Sequence, residues 1–171
     1  HLAHPVWLTP ETHRAAICKR SDSADRLKRL ALALPCGSGD FGGQNTVTTG
    51  ANGARSVFAA DMDRDGDMDM LSASSNDDKI AWYENDGSQN FTAHTISTAA
   101  DAAFSVFAAD VDGDGDIDLV VGNWGQSRLY LNNGTGTFTD ATAVCMPVGA
   151  YRTKSLTLGD VDGDGDLDLV I

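Results

Sequence analysis

The sequence predicts an all-β chain built from four-stranded antiparallel units, and three observations carry that prediction. An aspartate-rich stretch of nine residues occurs three times, opening at Asp61, Asp110 and Asp160. Those openings stand 49 and 50 residues apart, a period that accommodates four short strands with their turns. Around each copy the same order of apolar runs and tight-turn dipeptides returns. The composition agrees, since 18 glycines and a 42% apolar fraction suit a turn-rich β protein. Four strands per period make one blade of a β-propeller. The expectation is therefore a partial β-propeller with two complete and two partial blades.

The elements follow in order. Residues 1–28 form a leader with two open readings. Thr9-Pro10-Glu11 offers a capped helix start that Ala15, Ala16 and Ile17 would continue, and the other reading is a poorly ordered segment. His1, His4 and His13 are too loosely spaced for a metal cluster. The repeat segment runs from 29 to 171, with blades at 29–52 (partial), 53–101, 102–151 and 152–171 (partial). Over 29–48, propensity favours an amphipathic helix at 24–34. The repeat register instead lays Arg29-Leu30-Ala31-Leu32 on Lys79-Ile80-Ala81-Trp82, and Phe41 on Phe91. The register takes precedence and predicts two strands.

Each full blade opens with a short strand, Ser56–Ala60 or Ser105–Ala109, and Ser155–Gly159 opens the last one. The aspartate loop comes next, then an apolar strand at Met70-Leu71, Leu119-Val120 or Leu169-Val170. A third strand reads Lys79-Ile80-Ala81-Trp82-Tyr83 and Arg128-Leu129-Tyr130-Leu131. Asn85-Asp86-Gly87 and Asn132-Asn133-Gly134 then supply hairpin turns, because Asp-Gly and Asn-Gly tolerate positive φ. A fourth strand begins at Phe91 and at Phe138.

The loops carry the chemistry. Five carboxylates in nine residues repel one another unless a cation sits among them. Carboxylates at positions 1, 3, 5 and 9, glycine at position 6 and a backbone carbonyl at position 7 suit Ca²⁺, a hard ion that takes six to eight oxygens. The expected ligands are Asp61, Asp63, Asp65 and Asp69 with the Asp67 carbonyl. In the second loop they are Asp110, Asp112, Asp114 and Asp118 with the Asp116 carbonyl. In the third they are Asp160, Asp162, Asp164 and Asp168 with the Asp166 carbonyl. This makes about three Ca²⁺ sites. The position-7 side chains are expected to face solvent, and Met68, Ile117 and Leu167 at position 8 to anchor the loop in the blade. An EF-hand is excluded, because position 12 is Ser72, Val121 or Ile171 rather than glutamate.

Charge and cysteine usage narrow the function classes. The net charge is −13, and 15 of the 25 acidic residues lie in the three loops. Such a chain is ill suited to nucleic acid, whose phosphates need a basic face. Residues 1–36 are the exception, with six Lys/Arg against three Asp/Glu. Three cysteines, Cys18, Cys36 and Cys145, do not make a disulfide framework, although a Cys18–Cys36 bridge is one open pairing. No apolar run approaches the length of a membrane span. The chain opens with His1 and is expected to be a processed or excised piece, with further blades of a parent or partner chain closing the ring.

The pattern D-x-D-x-D-G-D-x-D between two strands, at this spacing, resembles the FG-GAP/VCBS repeat, the blade unit of integrin α-chain propellers. The stretch from Ser56 through Gly87 carries the likeness to VCBS copies most fully, and the resemblance covers about residues 29–171. It implies a Ca²⁺-stabilised propeller at the cell surface or outside the cell, serving adhesion or ligand binding. It also implies that the calcium loops brace the blades and are not catalytic.

Three functions compete: extracellular recognition or adhesion, an accessory region of a secreted polysaccharide-acting enzyme, and a structural spacer. No nucleophile elbow, zinc-protease helix motif or phosphate-cradling loop occurs, and His94 has no evident partner. The chain is expected not to be an enzyme. Trp82, Tyr83, Trp124 and Tyr130 supply either a carbohydrate-stacking surface or inter-blade core, with Trp124 the best placed for a ligand because it falls in a loop. Asn90-Phe91-Thr92 and Asn133-Gly134-Thr135 match the N-glycosylation pattern. The partner expected is an extracellular protein or glycan.

Overall fold

Two four-stranded antiparallel sheets stack face to face between two two-stranded pairs. The computed structural model describes residues 30–35, 41–149 and 152–171. The 1–28 leader, with its helix start at Thr9-Pro10, lies outside these residues, as do Cys18 and Cys36. Strands β1 (Leu30–Pro35) and β2 (Phe41–Thr48) pair antiparallel, which sets aside the helix that propensity alone favours there. The first full sheet has the order β3 (Ala54–Ala60), β4 (Asp69–Ser74), β5 (Lys79–Asn85), β6 (Phe91–Ser97). The second repeats it as β7 (Ser105–Ala109), β8 (Asp118–Gly122), β9 (Arg128–Asn132), β10 (Phe138–Asp140). Then come β11 (Thr157–Gly159) and β12 (Asp168–Val170), paired with each other.

The sheets stack in ring order. Strand β7 lies against β3, and β11 against β7, so first strands neighbour first strands; β2 lies against β6 at the other edge. This is the blade arrangement of an open, partial β-propeller, and the described sheets do not close into a ring.

Alternation along the second strand of each blade explains the stack. In β4, Leu71 and Ala73 enter the core shared with the next blade, whereas Met70 packs with Ala81 and Tyr83 on the opposite face. In β8, Leu119 and Val121 point back to the first blade, and Val120 packs with Leu129 and Leu156 towards the last pair. A strand buried on both faces must be apolar at successive positions, which is why Leu119-Val120-Val121 is a continuous run. Trp82, Tyr83 and Tyr130 are all core residues. Trp82 lies beneath the second blade's last turn, where Gly136, at φ +69°, leaves no room for a side chain against the indole.

Two features depart from expectation. Helix α1 (Thr142–Cys145), a single turn, follows β10. It is seated by Thr142, whose Oγ accepts the Leu129 N–H at 3.1 Å. The loop anchor also moves: Met68 is 45% exposed and Leu167 40% exposed, so position 8 does not anchor these two loops, although Ile117 does pack on the core. Met62 at position 2 is fully buried and does that work in the first loop, because the loop curl turns position 2 towards the neighbouring blade.

Leu119 is fully buried between the two blades. Leu119→Ala should therefore lower unfolding stability by about 3 kcal/mol, the usual cost of a cavity in a close-packed core. Denaturant titration would read this as an earlier midpoint; an unchanged midpoint would mean that the blades do not pack as one core.

Candidate metal centres

Each aspartate loop joins the first strand of a blade to the second, so its ends are held side by side by a β-ladder. Ala60 pairs with Asp69, Ala109 with Asp118, and Gly159 with Asp168. Eight residues must then close a loop between adjacent strands, and left-handed backbone makes the closure possible. Gly66, Gly115 and Gly165 at position 6 have φ of 94°, 90° and 98°, a region open to glycine without strain.

The closed loop converges positions 1, 3 and 9. One carboxylate oxygen from each of Asp61, Asp63 and Asp69 lies within 4.8 Å of the others, and the same holds for Asp110, Asp112, Asp118 and for Asp160, Asp162, Asp168. Asp65, Asp114 and Asp164 at position 5 fall outside these clusters. Each instead accepts the N–H two residues on, at 2.8 to 2.9 Å. Position 1 accepts the position-6 N–H in every copy, at 3.0 to 3.1 Å.

Position 9 is the tie. Asp69 Oδ1 accepts the Asn85 N–H at 2.8 Å and Oδ2 the Met62 N–H at 2.9 Å. Asp118 repeats this with Asn132 and Val111 at 2.8 and 2.9 Å. One carboxylate thus joins the aspartate loop to the turn between strands three and four. In the third copy Asp168 Oδ2 accepts the Val161 N–H at 2.9 Å.

Position 7 corrects the expectation of solvent-facing side chains in two loops. Asp67 lies against Gly87 and Asp116 against Gly134, each glycine belonging to its own blade's Asn-x-Gly turn. Asp116 is buried and forms an ion pair with Arg64 from the first loop. Asp166 is exposed, as expected. Asn132 adds a second tie between blades, its side-chain amide donating to the Met62 carbonyl at 2.8 Å. Sequence reading missed Arg64 and Asn132; the signal for Arg64 was its place at position 4, where the other copies have Gly113 and Gly163.

The clusters fit a divalent ion. In the second and third loops the position-4 N–H is donated to Oδ1 of position 1, at 2.8 and 2.6 Å. In the first loop Asp61 Oδ1 is buried without a hydrogen-bond partner, a cost that a cation removes. Burial pushes the Asp69 carboxyl up to about 6, against the opposing pull of the Asn85 and Met62 N–H groups. Burial raises Asp118 and Asp63 as well. A cation at the focus would return all three to the charged form.

His94 does have partners: its Nε2 lies 2.7 Å from Glu84 Oε2, and its ring stacks on Trp82 with centroids 4.6 Å apart. The pair adjoins a crevice between β6 and β10 of about 470 Å³, lined by Trp82, Ile96 and Phe138. Trp124 is 42% exposed. Cys145 is free and exposed.

The raised Asp69 pKa fixes a sign. Its unfolded value is near 3.8 and its folded value about 6. In chelator its protonation favours the fold below the lower value, and that contribution disappears as pH rises to the upper one. Wild type should lose melting temperature relative to Asp69→Asn between these two pH values and run parallel above them. Parallel curves throughout would show that Asp69 is not held in a desolvated site.

No curated protein matches the chain in a sequence comparison, and no helix among the described residues is long and apolar enough to cross a membrane. The model of the FG-GAP-like repeat matches twice, over residues 61–121 and 110–171. Each match opens on position 1 of one aspartate loop. With these loops, the strands around them and two overlapping matches that reach from Asp61 to Ile171, the chain belongs to the FG-GAP-like repeat family.

Proposed function

We propose that this chain is a Ca²⁺-binding β-propeller repeat region that serves extracellular recognition or adhesion and performs no catalysis. The observation that carries the calcium reading is the threefold convergence of carboxylate oxygens at positions 1, 3 and 9. Hard anionic oxygens on a flexible loop select Ca²⁺ over softer-ligand metals. Asp65, Asp114 and Asp164, with the carbonyls of Asp67, Asp116 and Asp166, complete the proposed shells. Bound calcium supplies charge neutralisation and a cross-link, not a reactive centre.

The chain's own residues transmit that cross-link. Asp69 and Asp118 reach from the loop to the turn beyond the third strand, so ordering the loop orders three strands. Arg64 and Asn132 carry the effect into the neighbouring blade. The localisation follows from affinity: loops of this kind in extracellular modules bind with Kd of about 10⁻⁴–10⁻³ M. Such sites fill outside cells and stay empty in cytosol.

Scanning calorimetry of the chelated chain, with and without about 10 mM Ca²⁺, tests the reading. Each filled site should contribute about 1.5–3 kcal/mol through mass action, raising the melting temperature by several degrees. Asp110→Asn with Asp118→Asn should remove one bound ion from the stoichiometry. An identical melting temperature in saturating calcium would sink the proposal.

A further inference from the structure

We propose that Arg152 stacked on Trp124, with Phe104 and Arg55 beside them, forms a binding site for the acidic groups of a polysaccharide. The inference deepens the recognition reading above and rests on it. The site lies at the strand ends opposite the aspartate loops: Phe104 precedes β7, Trp124 follows β8, and Arg152 precedes β11.

Four side chains from three successive blades form a continuous row. The Arg152 guanidinium lies 3.5 Å from the Trp124 ring centroid, and the Trp124 and Phe104 rings are 6.1 Å apart at 33°. The Arg55 guanidinium lies 5.8 Å from the Phe104 ring. A guanidinium laid on an indole is held flat, which leaves its in-plane N–H fork available for a carboxylate or sulfate.

Charge bookkeeping points the same way. Arg64, Lys79 and Arg128 are each ion-paired, with Asp116, Asp77 and Asp140. Among the described residues Arg55, Arg152 and Lys154 have no carboxylate partner, in a chain of net charge −13. Arg55 uses Nε on the Ser75 hydroxyl at 2.9 Å, and Arg152 is exposed. Two cations of this small set therefore flank the same pair of rings. Asp101 lies near Gly125 at the border of the row and adds a negative charge there.

The backbone argues for a glycan over a peptide. The N–H of Phe104 is donated to Gly122, that of Trp124 to Asp101 and that of Thr153 to Asn123, at 2.8, 2.9 and 3.0 Å. These internal bonds occupy three N–H groups along the row, which leaves fewer backbone donors for a peptide strand to pair with. What the row offers is ring surface and guanidinium forks, which suit sugar rings bearing acidic groups.

Titration calorimetry of the full chain with dextran sulfate and a soluble oligouronate tests this, using dextran as the uncharged twin and poly-glutamate as the acidic peptide. The acidic glycans should bind, weaken with added salt, and lose about tenfold in affinity in Arg152→Lys, which keeps the charge but not the fork. Trp124→Ala should lose at least as much, with calcium-dependent melting intact in both variants. Equal binding by wild type and both variants, equal binding of dextran, tighter binding of poly-glutamate, or no binding would each overturn the inference. The calcium reading is judged separately by the melt, and binding of dextran alone would leave recognition standing without this site.

Discussion

The whole arrangement depends on concentrated negative charge in short loops whose ends are held together by β-ladders. Asp61, Asp63 and Asp69 cannot separate, because Asp69 sits in a central strand and pairs with Ala60 across the ladder. Repulsion that an open chain would relieve by extending is thus confined, and Asp69 is fully buried. Its two N–H partners offset part of the desolvation cost. The remainder is what the proposed cation would offset.

The position-9 carboxylate also couples local structure to packing. It bonds the start of its own loop and the turn that closes the third strand, so three strands share one electrostatic anchor. The glycines of that turn belong to the same design: Gly87 and Gly134 stand where a side chain would collide with Asp67 or Asp116, and both take positive φ. Turn conformation and loop charge are therefore coupled within each blade.

Between blades the contacts divide by depth. Apolar side chains from alternate positions of β4 and β8 fill the middle, while Asn132 and the Arg64–Asp116 pair join the loops at one end. At the opposite end the cation–aromatic row joins Arg55, Phe104, Trp124 and Arg152 across this seam and the next. A propeller-type stack thus has one end dominated by acid and another where unpaired cations gather. This polarity is what the proposed site for acidic groups rests on.

Periodicity made much of this legible in the chain itself. The spacing of the Asp stretches, the Asn-x-Gly turns and the apolar runs placed every strand of the two full sheets, because a repeat must satisfy the same local hydrogen bonding each time. Register even outranked helix propensity over Leu30–Pro35. Strand period told little about which loop residue turns inward: Met62 anchors the first loop where Met68 was expected, and Asp116 is buried where exposure was expected. Those outcomes depend on the neighbouring blade, whose distance in sequence hides it from any local pattern. The same holds for Glu84 beside His94 and for Arg152 on Trp124, contacts that exist only once separate strands or sheets are brought together.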